Sequence, residues 1–340
     1  MDMNGRVIDL HCDTITELYR KKKDGNDPEI DLYENELQLD LKGMKESGYL
    51  LQNFAVFLNK RKYENLYQTA NQIIDFYEQE LSAYSQIIRP VRSFQEILEN
   101  DNRGIMSALL TLEGGEILEG SVDNLQNFYD RGVRMLTLTW NYKNEIGYPN
   151  FDKDEFVKSG KTEPDFTAVE TVHGLTEKGI EILEKMEELG MIPDVSHGSD
   201  ALFYEVLSHT KKPFVASHSN AREVHPIFRN LSDDMIRGLA ERGGVMGMNY
   251  CADFVSANSS KDQICYERDL TAHMKYIKKV GGIEVLALGS DFDGIDNRVE
   301  WENAGGMCHL FDTMKKEGFS ENEIDLITRD NALRIYREWL

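Results

Sequence analysis

Residues 7–14 read Val-Ile-Asp-Leu-His-Cys-Asp-Thr, an apolar run that leads directly into two ligand-type side chains. In a β-strand, side chains alternate between the two faces, so His11 and Asp13 would share one face and Cys12 would take the other. An imidazole and a carboxylate at a strand end make half of a metal site. A single His-x-Asp pair also occurs by chance. It indicates a metal site only if other apolar runs in the chain also end in residues that can bind a metal ion.

The same kind of run recurs along the chain. Apolar or β-branched runs that predict strands lie near 6–12, 50–57, 104–112, 133–139, 191–195, 213–217, 243–249 and 284–290. Segments with helical period separate them, for example 63–88, 172–189, 199–208, 232–241, 262–280 and 306–317. Strands that alternate with helices indicate a parallel sheet, and eight such units predict an α/β fold, a closed TIM-like (β/α)8 barrel. We predict one domain over residues 1–340, in which the long irregular stretch 140–171 is a lid loop.

Composition argues against several classes of partner. The 340 residues are 41% hydrophobic, which is enough for a large core, and the net charge is −22. A surface that acidic repels phosphate backbones and anionic lipids, so we expect neither nucleic acid nor membrane partners. The four cysteines lack zinc-finger spacing, and no run approaches the ~18 apolar residues of a membrane span. With no signal-peptide pattern at the start, we expect a cytoplasmic protein, and we leave open whether it forms a homodimer.

Five of the predicted strands end in residues that can bind a metal ion or act beside one: His11 and Asp13, Glu113, His197, His218 and Asp291. The C-terminal ends of barrel strands converge on one mouth, where active sites of this fold lie. Three imidazoles and three carboxylates exceed the needs of one zinc ion. They suit two divalent ions ~3.5–4 Å apart, with one carboxylate bridging them.

Each of these residues, taken alone, has an ordinary alternative interpretation. A histidine after an apolar run is more often a hydrogen-bonded loop residue, Asp291 could cap the following helix, and Glu113 could lie in a solvated turn formed by its glycines. Six such residues at the same end of eight strands favour the metal site.

Together, the motifs resemble the membrane dipeptidase (renal dipeptidase) family of zinc peptidases. The matching pieces are Ile-Asp-Leu-His-Cys-Asp-Thr at 8–14, Leu-Glu-Gly-Gly at 112–115, Asp-Val-Ser-His at 194–197, Ser-His-Ser at 217–219, Arg229-Asn230, and Gly-Ser-Asp-Phe-Asp-Gly at 289–294. They occur in family order and cover nearly the whole chain. The resemblance implies a (β/α)8 barrel with two Zn²⁺ per chain, which hydrolyses the peptide bond of dipeptides through a metal-bridging hydroxide.

The resemblance also implies a role for each matching residue. His11 and Asp13 would hold one zinc, His197 and His218 the other, and Glu113 would bridge them. Asp291 would then handle the proton beside the metals. Arg229 would bind the substrate's terminal carboxylate, with help from Tyr250, whereas without the family it would be interpreted as a surface arginine.

One position departs from the family pattern. After the fourth strand the family carries a histidine that contacts the scissile group, and this chain has Trp140 followed by Asn141. We expect Asn141, or Asn144 in the lid segment, to donate to the substrate instead, and Trp140 to form a wall of the pocket. Two alternatives stay open: another binuclear-metal hydrolase (an amidase, lactonase or deaminase), and a non-catalytic metal-binding barrel, which the loss of the histidine would allow.

Overall fold

The computed structural model describes residues 5–340, which contain eleven strands. They are β1 (Val7–Cys12), β2 (Tyr49–Phe57), β3 (Ile88–Pro90), β4 (Met106–Glu113), β5 (Val133–Thr137), β6 (Ile192–Asp194), β7 (Val215–Ala216), β8 (Val245–Met248), β9 (Ile264–Cys265), β10 (Leu286–Leu288) and β11 (Arg298–Val299). Eight of them form a closed parallel barrel in the order β1-β2-β4-β5-β6-β7-β8-β10, and β10 pairs with β1. The predicted (β/α)8 barrel is confirmed, because all eight predicted strands lie in this ring.

Helices separate consecutive barrel strands. They are α1 (Thr14–Lys23), α2 (Leu41–Glu46), α3 (Leu66–Ala83), α4 (Phe94–Asn102), α5 (Val122–Asp130), α6 (Lys153–Lys158), α7 (Glu177–Leu189), α8 (Asp200–His209), α9 (Asp233–Glu241), α10 (Ala252–Val255), α11 (Ala257–Asp262), α12 (Glu267–Gly281), α13 (Met307–Lys316), α14 (Glu321–Asp325) and α15 (Asn331–Trp339). The helix predicted over 262–280 begins later, at Glu267, because Gln263 adopts a left-handed backbone (φ 52°) that ends α11. In the described part of the chain, no helix is long and apolar enough to cross a bilayer.

The two ends of the barrel differ. At the end where the strands begin, Tyr336 and Trp339 of α15 pack in one apolar cluster with strand residues such as Ile8, Ile192 and Val245. This helix therefore closes the barrel from below. At the opposite end, where the strands finish, the loops that follow them surround the mouth of the barrel. Active sites of this fold lie at that end.

The segment predicted as a lid, 140–171, is not irregular throughout. It contains α6, whose first turn is capped by Asp152 through bonds from the backbone N–H groups of Asp154 and Glu155. The segment also packs on the loop that follows β7, because the Phe151 and Phe228 rings stack with centroids 5.4 Å apart. Opening and closing of this segment stays a prediction.

Candidate metal centre

The strand ends bring the predicted imidazoles and carboxylates together. Glu113 lies at the centre: its Oε1 is 3.0 Å from His197 Nε2 and 3.4 Å from His218 Nε2. Its other oxygen, Oε2, is 3.5 Å from His11 Nε2, which is in turn 3.9 Å from Asp291 Oδ1. Asp13 completes the group, since His11, Asp13 and Asp291 each offer one ligand atom within 4.8 Å of the others. The two oxygens of Glu113 thus face two different sets of ligands.

Two buried aspartates fix the strand ends that carry these ligands. Asp9 Oδ1 accepts from the backbone N–H of His11 (3.1 Å) and of Ser290 (2.9 Å), which joins the ends of β1 and β10. Asp194 Oδ1 does the same for Ser196 (3.0 Å) and Ser217 (2.8 Å) at the ends of β6 and β7. Each aspartate lies inside a motif noted in the sequence, but its role there was not predicted.

The backbone at the site is strained. His197 and Asp291 have left-handed backbones, with φ of 67° and 63°, which non-glycine residues rarely adopt. Such conformations cost of order 1–3 kcal/mol and cluster at functional sites, where the surrounding structure enforces them.

The hydrogen bonds of two histidines leave their Nε2 atoms as acceptors. His197 Nδ1 is 3.0 Å from Asn141 Oδ1, an oxygen that can only accept, so the ring hydrogen lies on Nδ1. His218 Nδ1 is 2.7 Å from Ser217 Oγ, whose own hydrogen is donated to Asp194 Oδ2. The two Nε2 atoms are only 3.1 Å apart, and the lone pairs of both face Glu113 Oε1. Three acceptors this close repel one another unless a cation lies between them.

Distance and charge both fit divalent metal ions. A tetrahedral zinc with bonds of 2.0–2.1 Å separates its ligand atoms by roughly 3.3 Å, close to the separations around Glu113 Oε1. Burial lowers the pKa of His197 to about 4 and holds that of His218 well below its usual range, so both rings are neutral, the state in which an imidazole can bind a metal ion. Burial alone would lower the pKa of His11 too, yet the charge of Glu113 and of the neighbouring aspartates raises it to about 10. That excess of negative charge attracts cations.

Unpartnered atoms point to the same conclusion. Both ring nitrogens of His11, and Oδ1 of Asp13, are buried without a hydrogen-bond partner among residues 5–340. Buried polar groups are normally satisfied, so such a cluster indicates a site that binds a ligand. The residues present therefore fit a centre for two divalent ions.

Arg229 interacts electrostatically with His197 and Asp291 of this centre and is only 5% exposed. Its Nη1 donates to Ser219 Oγ (2.9 Å), and its Cζ is 5.6 Å from the centre of the Phe254 ring. Its Nε and Nη2 are buried and have no partner within the described residues. This free edge of the guanidinium can bind a carboxylate with two parallel hydrogen bonds.

A cavity of about 380 Å³ opens beside the centre, a volume typical of small-molecule sites. Trp140 and Asn141 both line it. The Trp140 ring packs against Phe57 with centroids 4.7 Å apart and lies 6.2 Å from the His197 ring. The structure thus places Trp140 in the wall and brings Asn141 against His197, a candidate metal ligand.

Tyr250 is enclosed by aromatic side chains. Its ring is fully buried and packs edge-on against Phe292 (5.5 Å) and Trp301 (4.9 Å), and its hydroxyl has no partner among residues 5–340. Its role in binding the substrate stays a prediction. The preceding residue, Asn249, contacts the site directly, since its Nδ2 donates to Asp291 Oδ2 (3.0 Å). Strand alternation places the two neighbours on opposite faces, a signal that could have identified Asn249.

Comparison with known proteins identifies the family of this chain. The model of the membrane dipeptidase family (peptidase family M19) matches residues 3–339. An uncharacterized protein in the pqqA 5′ region of Klebsiella pneumoniae is 31% identical over 233 residues, which are 68% of this chain and 82% of that protein. Dipeptidase 3 of Mus musculus is 29% identical over 245 residues, 70% of this chain but only 45% of that protein.

A solved structure shares the fold over the whole chain. It is a metallo peptidase from Rhodobacter sphaeroides, liganded with a phosphinate mimic of the dipeptide L-Ala-D-Ala. The TM-score is 0.85 at 22% sequence identity, and the match covers 100% of both chains. The barrel and its loops therefore follow the architecture of that protein.

Proposed function

This chain belongs to the membrane dipeptidase family of metallopeptidases, and from that premise we propose that it is a binuclear zinc enzyme that hydrolyses dipeptides. The observation that carries the proposal is the position of Glu113. One of its oxygens faces His197 and His218, and the other faces His11. A carboxylate with two separate sets of ligands is what a bridge between two ions requires.

The ligand set divides accordingly. His11 and Asp13 would hold one ion, His197 and His218 the other, and Glu113 both. When bound, two such ions polarise the peptide carbonyl and lower the pKa of water toward neutrality, which supplies the hydroxide nucleophile.

The chain's own residues would handle the proton and the substrate. Asp291 Oδ2 is occupied by Asn249, which leaves Oδ1 free on the side of His11. We assign to Asp291 Oδ1 the transfer of a proton to the leaving amine. The free edge of Arg229 would bind the C-terminal carboxylate of the substrate, and this requirement favours short peptides with a free carboxylate over amides or lactones.

A substrate panel tests the function. Protein prepared without chelator should contain about two zinc ions per chain, as in other two-metal hydrolases, and should release free amino acids from dipeptides. The panel should include L and D residues at the C-terminal position, dipeptide amides and a lactone. Glu113→Gln should lose zinc and activity together, because it removes the shared ligand. Preferred turnover of the lactone or of amides, or one zinc per chain in active protein, would contradict the proposal.

A further inference from the structure

The motif Asp-Val-Ser-His at 194–197 supplies the ligand His197 but also contains an aspartate that the proposed reaction does not use. Asp194 is fully buried between β5, β6 and β7. Within residues 5–340 no lysine or arginine pairs with it at ion-pair distance. Arg229 interacts with it electrostatically but makes no direct ion pair. A buried charge with no directly paired cation is costly to keep, so its contacts need an explanation.

Four donors satisfy this carboxylate. Its Oδ1 accepts from the backbone N–H groups of Ser196 and Ser217, which fixes the two strand ends. Its Oδ2 accepts from two hydroxyls at 2.5 Å, Thr137 Oγ1 and Ser217 Oγ. The first pair of bonds serves the backbone, whereas Ser217 Oγ leads on to a ligand of the metal centre.

The direction of the hydrogens along this path follows from the donor inventory. An ionised carboxylate can only accept, and a serine hydroxyl has one hydrogen to give. If Ser217 gives its hydrogen to Asp194, its oxygen must accept from His218 Nδ1 at 2.7 Å. His218 Nε2 is then left without a hydrogen, 3.4 Å from Glu113 Oε1. The three side chains form what we name the Asp194–Ser217–His218 relay.

We propose that Asp194, acting through Ser217, holds His218 in the Nδ1–H tautomer and thereby strengthens metal binding at His218 Nε2. The inference rests on the proposed binuclear centre and concerns positioning residues that do not touch the ion. Partners of this kind raise the basicity of a ligating imidazole, and their loss typically weakens metal binding 10- to 100-fold. His197 has a neutral partner, the Asn141 amide, so the two imidazoles of one ion are supported differently.

The substitution Asp194→Asn would reverse the direction of the hydrogen bonds along the relay. The new amide nitrogen could donate to Ser217 Oγ, and the serine hydrogen would then turn to His218 Nδ1. That arrangement places the ring hydrogen on Nε2, the atom that must bind the ion. Asp194→Asn therefore preserves the size of the side chain but favours the wrong tautomer.

The test measures zinc affinity by competition with a chromophoric chelator, alongside metal analysis, on the full-length native protein and three variants. We expect Asp194→Asn and Ser217→Ala to weaken binding of zinc 10- to 100-fold. Thr137→Val is the matched control, because it removes a hydroxyl from the same carboxylate oxygen without interrupting the path to His218. It should stay within about threefold of the native affinity, since the charge and the tautomer are retained.

The outcomes separate the relay from the function on which it rests. Native affinity in both relay variants would overturn the relay alone, as would an equal loss in Thr137→Val, which would indicate a general packing effect. Native protein that binds no zinc would overturn the binuclear centre and the relay with it. If Asp194→Asn does not fold, Ser217→Ala decides, because it leaves Asp194 with three of its four donors.

Discussion

At the scale of single residues, the contacts of Arg229 leave one edge of a buried cation available for the substrate-binding role that we propose. Ser219 holds one terminal nitrogen, Phe254 lies against the guanidinium, and the Nε–Nη2 edge has no partner in the described part of the chain. Burial lowers the pKa of Arg229, but its usual value is so high that the group stays charged. A charged group held this way loses little freedom when it binds a carboxylate, which makes the interaction specific as well as strong.

Replacement of Arg229 should therefore affect free-carboxylate substrates most. A hydrogen bond to a charged group contributes about 1.5–3 kcal/mol, so Arg229→Ala should lower kcat/KM for dipeptides roughly ten- to a hundredfold. Arg229→Lys should recover only part of this, because a point charge lacks the paired geometry. The measurement compares each dipeptide with its C-terminal amide, and the amide should be affected much less. If acids and amides lose the same factor, the carboxylate lies elsewhere.

At the scale of elements, the sequence predicted the features that follow from strand periodicity, which are the positions of the strands and of the residues at their ends. The eight apolar runs identified the barrel strands, and the residues after those runs lie together at its mouth, because parallel strands end at a common edge. Their role as metal ligands stays a prediction. The sequence could not predict contacts between separate loops. The bond from His197 to Asn141 depends on how the loop after β5 folds over the loop after β6, and no local pattern encodes this. The cytoplasmic location, the homodimer and the lid motion stay predictions.

The loop after β5 also determines the wall of the cavity. Trp140 lies near the start of this loop, and Lys153, the first residue of α6, places its Nζ 4.0 Å from the centre of the Trp140 ring. The indole thus packs against Phe57, Tyr142 and Lys153 and also lines the cavity. A large, fixed ring in this position should limit the size of the substrate side chain beside it.

Trp140→His should change which dipeptides are preferred and leave zinc content at the native level. Histidine is smaller than tryptophan, so the cavity becomes larger beside this position. The ratio of kcat/KM between dipeptides with large and with small N-terminal side chains should therefore shift by roughly tenfold or more. The measurement is a series of dipeptides that differ only in the first residue. Tyr142→Phe is the control, because Tyr142 packs on Trp140 without lining the cavity. A uniform change across the series would instead assign Trp140 to the transition state, and a loss of zinc would contradict its placement in the wall.

At the scale of the whole molecule, the candidate metal centre and the helix that closes the barrel lie at opposite ends. The metal centre lies where the strands end, and α15 closes the barrel where they begin. Tyr336 of this helix reaches inside, where its hydroxyl donates to Asn53 Oδ1 (2.8 Å), and Trp339 Nε1 donates to the carbonyl of Pro213 (2.7 Å). In this fold, residues at the closed end serve stability, whereas those at the open end serve the reaction.

Variants of α15 should accordingly weaken the fold and spare the reaction. Tyr336→Phe leaves the buried Asn53 oxygen without its donor and should lower the free energy of unfolding by about 1–3 kcal/mol. Trp339→Ala also removes a ring that is only 6% exposed and should cost about 3–5 kcal/mol. Denaturant unfolding measures both losses, and steady-state kinetics well below the unfolding transition should give native kcat/KM and zinc content. A fall in kcat/KM without a fall in stability would show that the lower end of the barrel is coupled to the metal centre, because only a change transmitted through the strands could reach residues at the opposite end.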